Sequence, residues 1–492
     1  MAPAFLGLDV GTSSLKALVC AADGRALGAS TAAYPLATPA PGWSEQEPDA
    51  WVRAARAAIP EALARAGVPA SAVEAVGFSG QMHGAVLVDR AGAPLRPAIL
   101  WNDARAADEC DALTARIGAA AIVARTGNRL LPGFTAPMLA WVRRHEPATW
   151  ARVAQVLMPK DFLRFRLGTA WHADVSDASG TLLFDVAARG WSAAMLRDCG
   201  VPAALVPPVH ESSAVVDRVN AATAAATGLR EGTPMVAGAG DQAAGAVGTG
   251  VVDPGRLSCV LGTSGVIFAA SEQFRASPDG ALHSFCHAAP GRWHLMSVML
   301  SAAGSLRWFA DTLGGAAPEE LERLAQEAPP GADGLRFLPT LGGERCPFPD
   351  PRATGAFTGI TLAHTRAHFA RAVIEGVTAG MGLCLRMIRD AGVPVRDLAA
   401  SGGGFRGAFW AQCCADAFGA PLVRIAGGEG AALGAALLAA VGAGAHASVQ
   451  DAVRAMRVTD RVEPRASEAE FWGARMRELR DLHARLGGRR EV

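Results

Sequence analysis

The sequence predicts an α/β protein of two lobes with a cleft between them, and three observations carry that prediction. Two glycine-hydroxyl turns, Gly7-Leu8-Asp9-Val10-Gly11-Thr12-Ser13-Ser14 and Val260-Leu261-Gly262-Thr263-Ser264-Gly265, each follow a short apolar strand and precede another. The elements around the first turn recur around the second, which suggests a duplicated fold. At 492 residues the chain is also too long for one ordinary core, so two or three domains are expected. Glycine has no Cβ in the way and the hydroxyls add donors, so the backbone N–H groups of such turns can crowd an anion. Two of them suit a fold that grips a polyphosphate from both sides.

Each element follows from local pattern. Residues 4–10, 15–21 and 25–33 read as strands separated by the first turn and by Asp23-Gly24, a strong hairpin signal. From Pro48 a helix is expected, with Trp51, Ala55, Ile59 and Leu63 near a 3.6 period and Pro60 placed to kink it. The apolar strand 73–78, the turn 79–84 and the strand 85–88 complete a mixed sheet covered by helices. In the second half, strands 256–260 and 266–270 flank the second turn and 293–298 is a third strand. Helical patterns cover 303–313 and 363–389, and strand 398–401 leads through Gly402-Gly403-Gly404-Phe405-Arg406 into a helix over 410–418. The small residues of Gly238–Gly250 place a hinge there, giving a first lobe over 1–246 and a second over 247–492. Gly427-Gly428-Glu429-Gly430 reads as a close-packing turn, and the charged tail over 468–490 as a surface helix.

Composition narrows the function classes. Half the residues are hydrophobic and the net charge is zero, so a large core is expected and no basic footprint points to nucleic acid. Basic residues are nearly all Arg, with lysine at Lys16 and Lys160. The nine cysteines are scattered without a Cys-x-x-Cys pair, which indicates neither a zinc site nor a disulfide framework, and Cys413-Cys414 reads as core. No run reaches the ~20 apolar residues of a membrane span. The first residues lack a basic leader region. A soluble cytoplasmic protein without membrane or nucleic-acid partners is expected, and a homodimer is compatible with the sequence without being required.

The candidate chemistry starts with Asp9, at the end of the first strand. A carboxylate beside a phosphate turn can hold Mg²⁺ or its waters; alternatively it caps the turn. Asp241 is a single charge among small residues. It can accept the proton of a hydroxyl that attacks the terminal phosphate of ATP, or it can cap the helix starting at Gln242. Gln81, Met82 and His83 lie at a strand mouth where open α/β sheets place ligands; His83 could donate to a sugar hydroxyl, or be an ordinary satisfied surface histidine, while Gln81 and Met82 could shape the pocket. Trp101 offers an apolar plate, and Asp103 with Arg105 either meets sugar hydroxyls or forms a structural pair. The backbone and hydroxyls of Gly11, Thr12, Ser13, Gly262, Thr263 and Ser264 would hold phosphates. Gly403, Gly404 and Phe405 would border the nucleoside.

These residues resemble the FGGY carbohydrate kinase family, whose ribonuclease H-like fold is shared with actin, hexokinase and the 70-kDa heat-shock proteins. The resemblance runs from Gly7 to about Ala440. General motifs are Asp9-Val10-Gly11-Thr12-Ser13, Trp101-Asn102-Asp103-Ala104-Arg105, Leu261-Gly262-Thr263-Ser264-Gly265 and Gly402-Gly403-Gly404. Gln81-Met82-His83-Gly84, Pro132 to Pro137, Pro159-Lys160-Asp161, Ser176 to Thr181, Ser284 to His287 and Trp293 to Val298 are similar to the branch acting on the ketopentose D-xylulose. The resemblance implies ATP and Mg²⁺, Asp241 as catalytic base, Asp9 as metal support through water, and Met82, His83 and Gln242 near the ketose. Another ketose or a polyol as acceptor, or a non-catalytic sugar sensor, are the competing readings. Gln242 stands where that branch usually has Asn, Met138 where it has Lys, and Cys346 where its Gly-Glu-Arg-Thr-Pro loop has Thr.

Overall fold

The computed structural model describes residues 2–426 and 430–487. In the first lobe the elements are β1 (Ala4–Val10), β2 (Ser14–Ala21), β3 (Ala26–Ala33), α1 (Pro48–Ala66), β4 (Val73–Gly80), α2 (Pro159–Leu167), α3 (Val175–Ser179), β5 (Val215–Arg218), β6 (Pro234–Val236), β7 (Ala239–Gly240) and α4 (Asp241–Gly248). The second lobe continues with β8 (Gly255–Leu261), β9 (Gly265–Ser271), β10 (His283–Cys286), β11 (Trp293–Met299), α5 (Ala303–Phe309), α6 (Arg366–Asp390), β12 (Val395–Ser401), α7 (Ala408–Phe418), β13 (Leu422–Ile425), α8 (Ala431–Gly442), β14 (Val458–Val462) and α9 (Ala469–Gly487).

The expected duplication is a topological fact. One sheet runs β5-β6-β4-β1-β2-β3, with β7 also paired to β4, and the other runs β10-β11-β9-β8-β12-β13-β14. In each, an antiparallel trio (β1–β3, and β8, β9, β11) lies beside parallel strands, β4 and β6 in one and β12 and β13 in the other. The buried 25-residue α6 forms the core of the second lobe. In the first lobe α1 covers the sheet, with Trp51 fully buried. It continues unbroken through Pro60, because Pro60 and Arg56, whose carbonyl loses its partner, lie on the solvent face.

Glycine decides how the lobes join. Gly7 and Gly77 are register partners on β1 and β4. A Cβ at either would lie 1.9 Å from the Ala432 or Ala435 carbonyl oxygen of α8. A helix from the second half of the chain is thereby seated on the first sheet, and Gly434 of α8 meets Ala244 of α4 as closely. The stretch read as a hinge is therefore mostly helix, and a division after residue 246 falls inside α4. The tail is more than a surface helix: Trp472, Met476 and Leu479 of α9 enter the second core. All nine cysteines are buried, and no helix among the described residues is long and apolar enough to cross a membrane. Residues 427–429, read as a packing turn, lie outside the described residues.

Candidate active site

Three parallel strand ends bring the acidic residues together. Asp9 on β1 is the register partner of Ser79 on β4, and β7 pairs with β4 so that Ala239 faces Ser79 and Gly240 faces Gly80. Asp9 and the start of α4 are thus about two strand spacings, roughly 10 Å, apart at the carboxyl edge of the sheet. The Ser79 hydroxyl donates to Asp9 Oδ1 at 2.9 Å. Sequence reading passed over Ser79, although it sits on the alternate face that β-strand periodicity gives to residue 79. Asp241 is the first residue of α4, and the cap position belongs to Gly240, without a side-chain cap bond. Burial pushes the Asp241 carboxyl up to about 7; the charge of Asp9 adds to this and hydrogen bonding from Gln242 partly opposes it. Burial raises Asp9 as well, against the Ser79 bond and the charge of Lys16.

Of the residues expected on the sugar side, His83 and Met82 flank this edge. Met82 packs its thioether against Gly240, where a Cβ would meet Met82 Cγ at 2.8 Å. His83 adopts φ 70°, a left-handed conformation uncommon for a non-glycine residue. It is held by the Thr135 hydroxyl donating to its carbonyl at 2.9 Å and by the Phe134 ring, centroid to centroid 3.9 Å. Its Nδ1 lies 2.8 Å from the Gly180 carbonyl oxygen. Burial, together with the charge of Arg345, lowers the imidazole to about 4, so the ring is neutral at neutral pH. A carbonyl only accepts, so Nδ1 carries the proton and Nε2 is an acceptor. The expectation that His83 donates to a hydroxyl is thereby corrected: it would accept from one.

Gln81 is committed within the protein. It accepts from the Thr12 hydroxyl at 3.2 Å and donates to Gln46 Oε1 at 3.1 Å, which braces the first glycine turn. Trp101 remains 37% exposed and its indole N–H donates to the Thr12 hydroxyl at 3.1 Å, so its plate borders that turn. Asp103 is spent on the interior. It accepts from Arg105 at 2.7 and 2.9 Å and from the Ser44 N–H at 2.6 Å, which fits the structural pair weighed against sugar contact.

Of the turns expected to hold phosphates, the first closes Gly11 N–H onto Ser14 O and the second, one residue shorter, Gly262 N–H onto Ser264 O, each at 3.0 Å. Beside the second turn opens a cavity of about 880 Å³ lined by Gly262, Thr263, Gly304, Arg307, Glu322, Gly403, Gly404 and Phe409. Gly402 has φ 97° and a Cβ there would strike the Leu261 backbone, so only glycine fits. Gly403 faces open space. Phe405 is corrected: its ring is buried in the second core and does not line the cavity. Arg307, Glu322 and Phe409 were missed, since single residues on three helical segments carry no local motif. Glu322 accepts the Trp410 N–H at 3.0 Å and so caps α7.

The donor chemistry fits the expected ligands. Asp9 is a hard oxygen donor partly exposed at the cleft and within the field of a second carboxylate, an arrangement a divalent cation would relieve. The cavity is of the size small-molecule sites take, with glycine backbone along one wall.

Two sheets of repeated topology, one with acidic residues at its strand ends and the other beside a cavity of small-molecule size, make up the architecture of the actin-like ATPases and the kinases built on them. Known proteins agree. The model of the FGGY family of carbohydrate kinases, N-terminal domain, matches residues 4–248, and that of its C-terminal domain matches 257–443. A xylulose kinase of Escherichia coli (strain K12) is 41% identical over 98% of this chain and 99% of its own. The crystal structure of a xylulose kinase from Rhodospirillum rubrum superposes with a TM-score of 0.91 at 33% identity, covering 98% of this chain and 99% of the other. A glycerol kinase of Plasmodium falciparum with ADP shares the fold, with a TM-score of 0.89 at 20% identity over 98% of each chain. The chain belongs to the FGGY family of carbohydrate kinases, and as such it binds a sugar and ATP.

Proposed function

We propose that the chain phosphorylates D-xylulose at its terminal hydroxyl, giving D-xylulose 5-phosphate and ADP, with Asp241 as general base. The near full-length likeness to proteins named xylulose kinases supports the acceptor. The observation that carries the chemistry is Asp241 itself, a carboxylate at the mouth of parallel strands, one residue past the cap position of α4 and pushed up to about 7. A base with a pKa near the working pH combines a useful ionised fraction with real proton affinity. Asp241 would take the proton as the hydroxyl oxygen attacks the γ-phosphorus and ADP leaves in line. His83 Nε2 would accept from a second sugar hydroxyl and so orient the chain of the ketose, with Met82 packed alongside. The Gly11–Ser13 and Gly262–Ser264 turns would hold the phosphates from opposite lobes, and Asp9 would hold Mg²⁺ through water. When bound, that ion offsets the charge of the β- and γ-phosphates.

Steady-state kinetics over a panel of pentuloses and polyols tests the acceptor. D-Xylulose is expected to give the highest kcat/KM; a clear preference for ribulose, a deoxyketose or a polyol would move the assignment, with Gln242 the first residue to re-examine. Acid dependence tests the base. Asp241 is inactive when protonated, and its raised pKa extends that form up to near neutrality. Log kcat/KM should therefore rise with unit slope up to about pH 7 and level off above it. A flat profile between about pH 5.5 and 8 would count against Asp241.

A further inference from the structure

The strand ends rest on the short helix α3, whose five residues are all buried. Its cap, Asp174, accepts the Ser176 N–H at 2.8 Å and, through the same Oδ2, the Ser176 hydroxyl at 2.5 Å and the Ser212 hydroxyl at 2.9 Å. With its one proton committed to Asp174, the Ser176 oxygen accepts the Gly240 N–H at 3.1 Å. Gly240 is the residue before Asp241 and caps α4. Its N–H is buried, and a helix start leaves such donors without intrahelical partners. Glycine is required at 240 because Met82 occupies the space of a Cβ, yet glycine is also the residue least able to hold its own dihedrals. The Ser176 hydroxyl supplies the restraint that the backbone lacks. The next residue after α3, Gly180, holds His83 through its carbonyl, and Ser179 accepts the Cys286 N–H of β10 at 3.1 Å. One buried turn therefore touches the supports of the base, of the sugar-side imidazole and of the second lobe.

We propose that Ser176 is a positioning residue for phosphoryl transfer: its hydroxyl, oriented by Asp174, fixes Gly240 and so the direction in which Asp241 projects. The inference rests on Asp241 acting as the base. Its consequence is a defect in transfer that spares sugar binding, because Ser176 acts through the base and an ångström of misplacement of a reacting group costs up to about 10²-fold.

The test compares Ser176→Ala, Ser176→Thr and Asp241→Asn for single-turnover transfer by rapid quench, D-xylulose affinity by tryptophan fluorescence, and thermal midpoint. Ser176→Ala is expected to slow transfer by about tenfold to 10²-fold with the sugar Kd within about twofold. Ser176→Thr, which restores the hydroxyl, should recover most of that loss. Asp241→Asn should lose at least about 10²-fold with sugar binding intact. If Asp241→Asn transfers at the wild-type rate, the base assignment fails and the inference with it. If Asp241→Asn is inactive but Ser176→Ala transfers normally, the positioning role alone is overturned. It is equally overturned if Ser176→Ala loses sugar affinity and transfer in the same proportion along with its thermal midpoint, the mark of a merely structural residue.

Discussion

Asp241→Ala is expected to lower phosphoryl transfer by at least about 10²-fold, the lower bound for a positioned general base, while ATP binding stays measurable. The two effects separate because the cavity proposed for the nucleotide is lined by residues of the second lobe and Asp241 is not among them. Local structure should largely survive the substitution: the cap of α4 is Gly240, whose N–H is held by Ser176, and the lost carboxylate bonds only its neighbour Gln242 at the helix start. Stability should hold or rise. The Asp241 carboxyl titrates above its ordinary value in the fold, so the native state binds a proton more tightly than the unfolded chain does. Its ionisation therefore opposes folding once the pH exceeds the unfolded value of about 4, and fully so above about 7. The gain in thermal midpoint for Asp241→Ala should be larger at pH 8 than at pH 5. An inactive variant that is at least as stable as the parent is what a functionally strained carboxylate leaves behind. A coupled ADP assay with calorimetric ATP titration reads both quantities; retention of more than about 1% of activity would contradict a base of this kind.

Much of the fold was legible because it is written in local pattern. The strands flanking both glycine turns lie within a residue or so of where alternation and turn chemistry put them, and the repeated trio predicted the repeated sheet. The seating of α8 on the first sheet was not legible: Gly7 and Gly77 read as ordinary strand residues until a helix from the far end of the chain, Ala431–Gly442, lies against them. At the site, a motif names residues without saying which way each side chain turns. Asp9 lies at a strand end of the first lobe, His83 beside it under the Gly180 carbonyl, and Gly403 lines the second-lobe cavity. Gln81 and Asp103 belong to the same motifs, yet bind Gln46 and Arg105 inside the first lobe, and Phe405 turns into the core of the second. Ser176 under Gly240 and Lys160 among three aspartates joined the reading only as members of motifs and without a role, since no helix or strand periodicity connects those partners.

Lys160→Met is expected to destabilise the first lobe by about 3–5 kcal/mol, the cost of removing one partner from a buried ionic cluster. The lysine is fully buried, with its Nζ 2.6 Å from Asp161, 2.8 Å from Asp174 and 3.6 Å from Asp177. Arg164 also binds Asp161 at 2.9 Å, so Asp161 keeps a counter-charge in the variant. Asp174 and Asp177 do not share it. Asp177 is the more exposed to loss, because neither of its oxygens has a hydrogen bond and burial already raises its carboxyl well above the ordinary range. Without the lysine the Asp177 carboxyl would rise further, so the folded variant would hold a proton that the unfolded chain releases above about pH 4. Its stability should therefore fall with rising pH relative to the parent, and the difference between them should be smallest near pH 5. Urea unfolding across pH 5–8 measures this directly. Adding Asp177→Asn should recover part of the loss by removing a charge that has become unpaired, and the recovery should be greater at pH 8 than at pH 5. A Lys160→Met variant within about 1 kcal/mol of the parent at every pH would show that the cluster carries no net ionic stabilisation, and that α3 is held by the Asp174 hydrogen bonds and apolar packing alone.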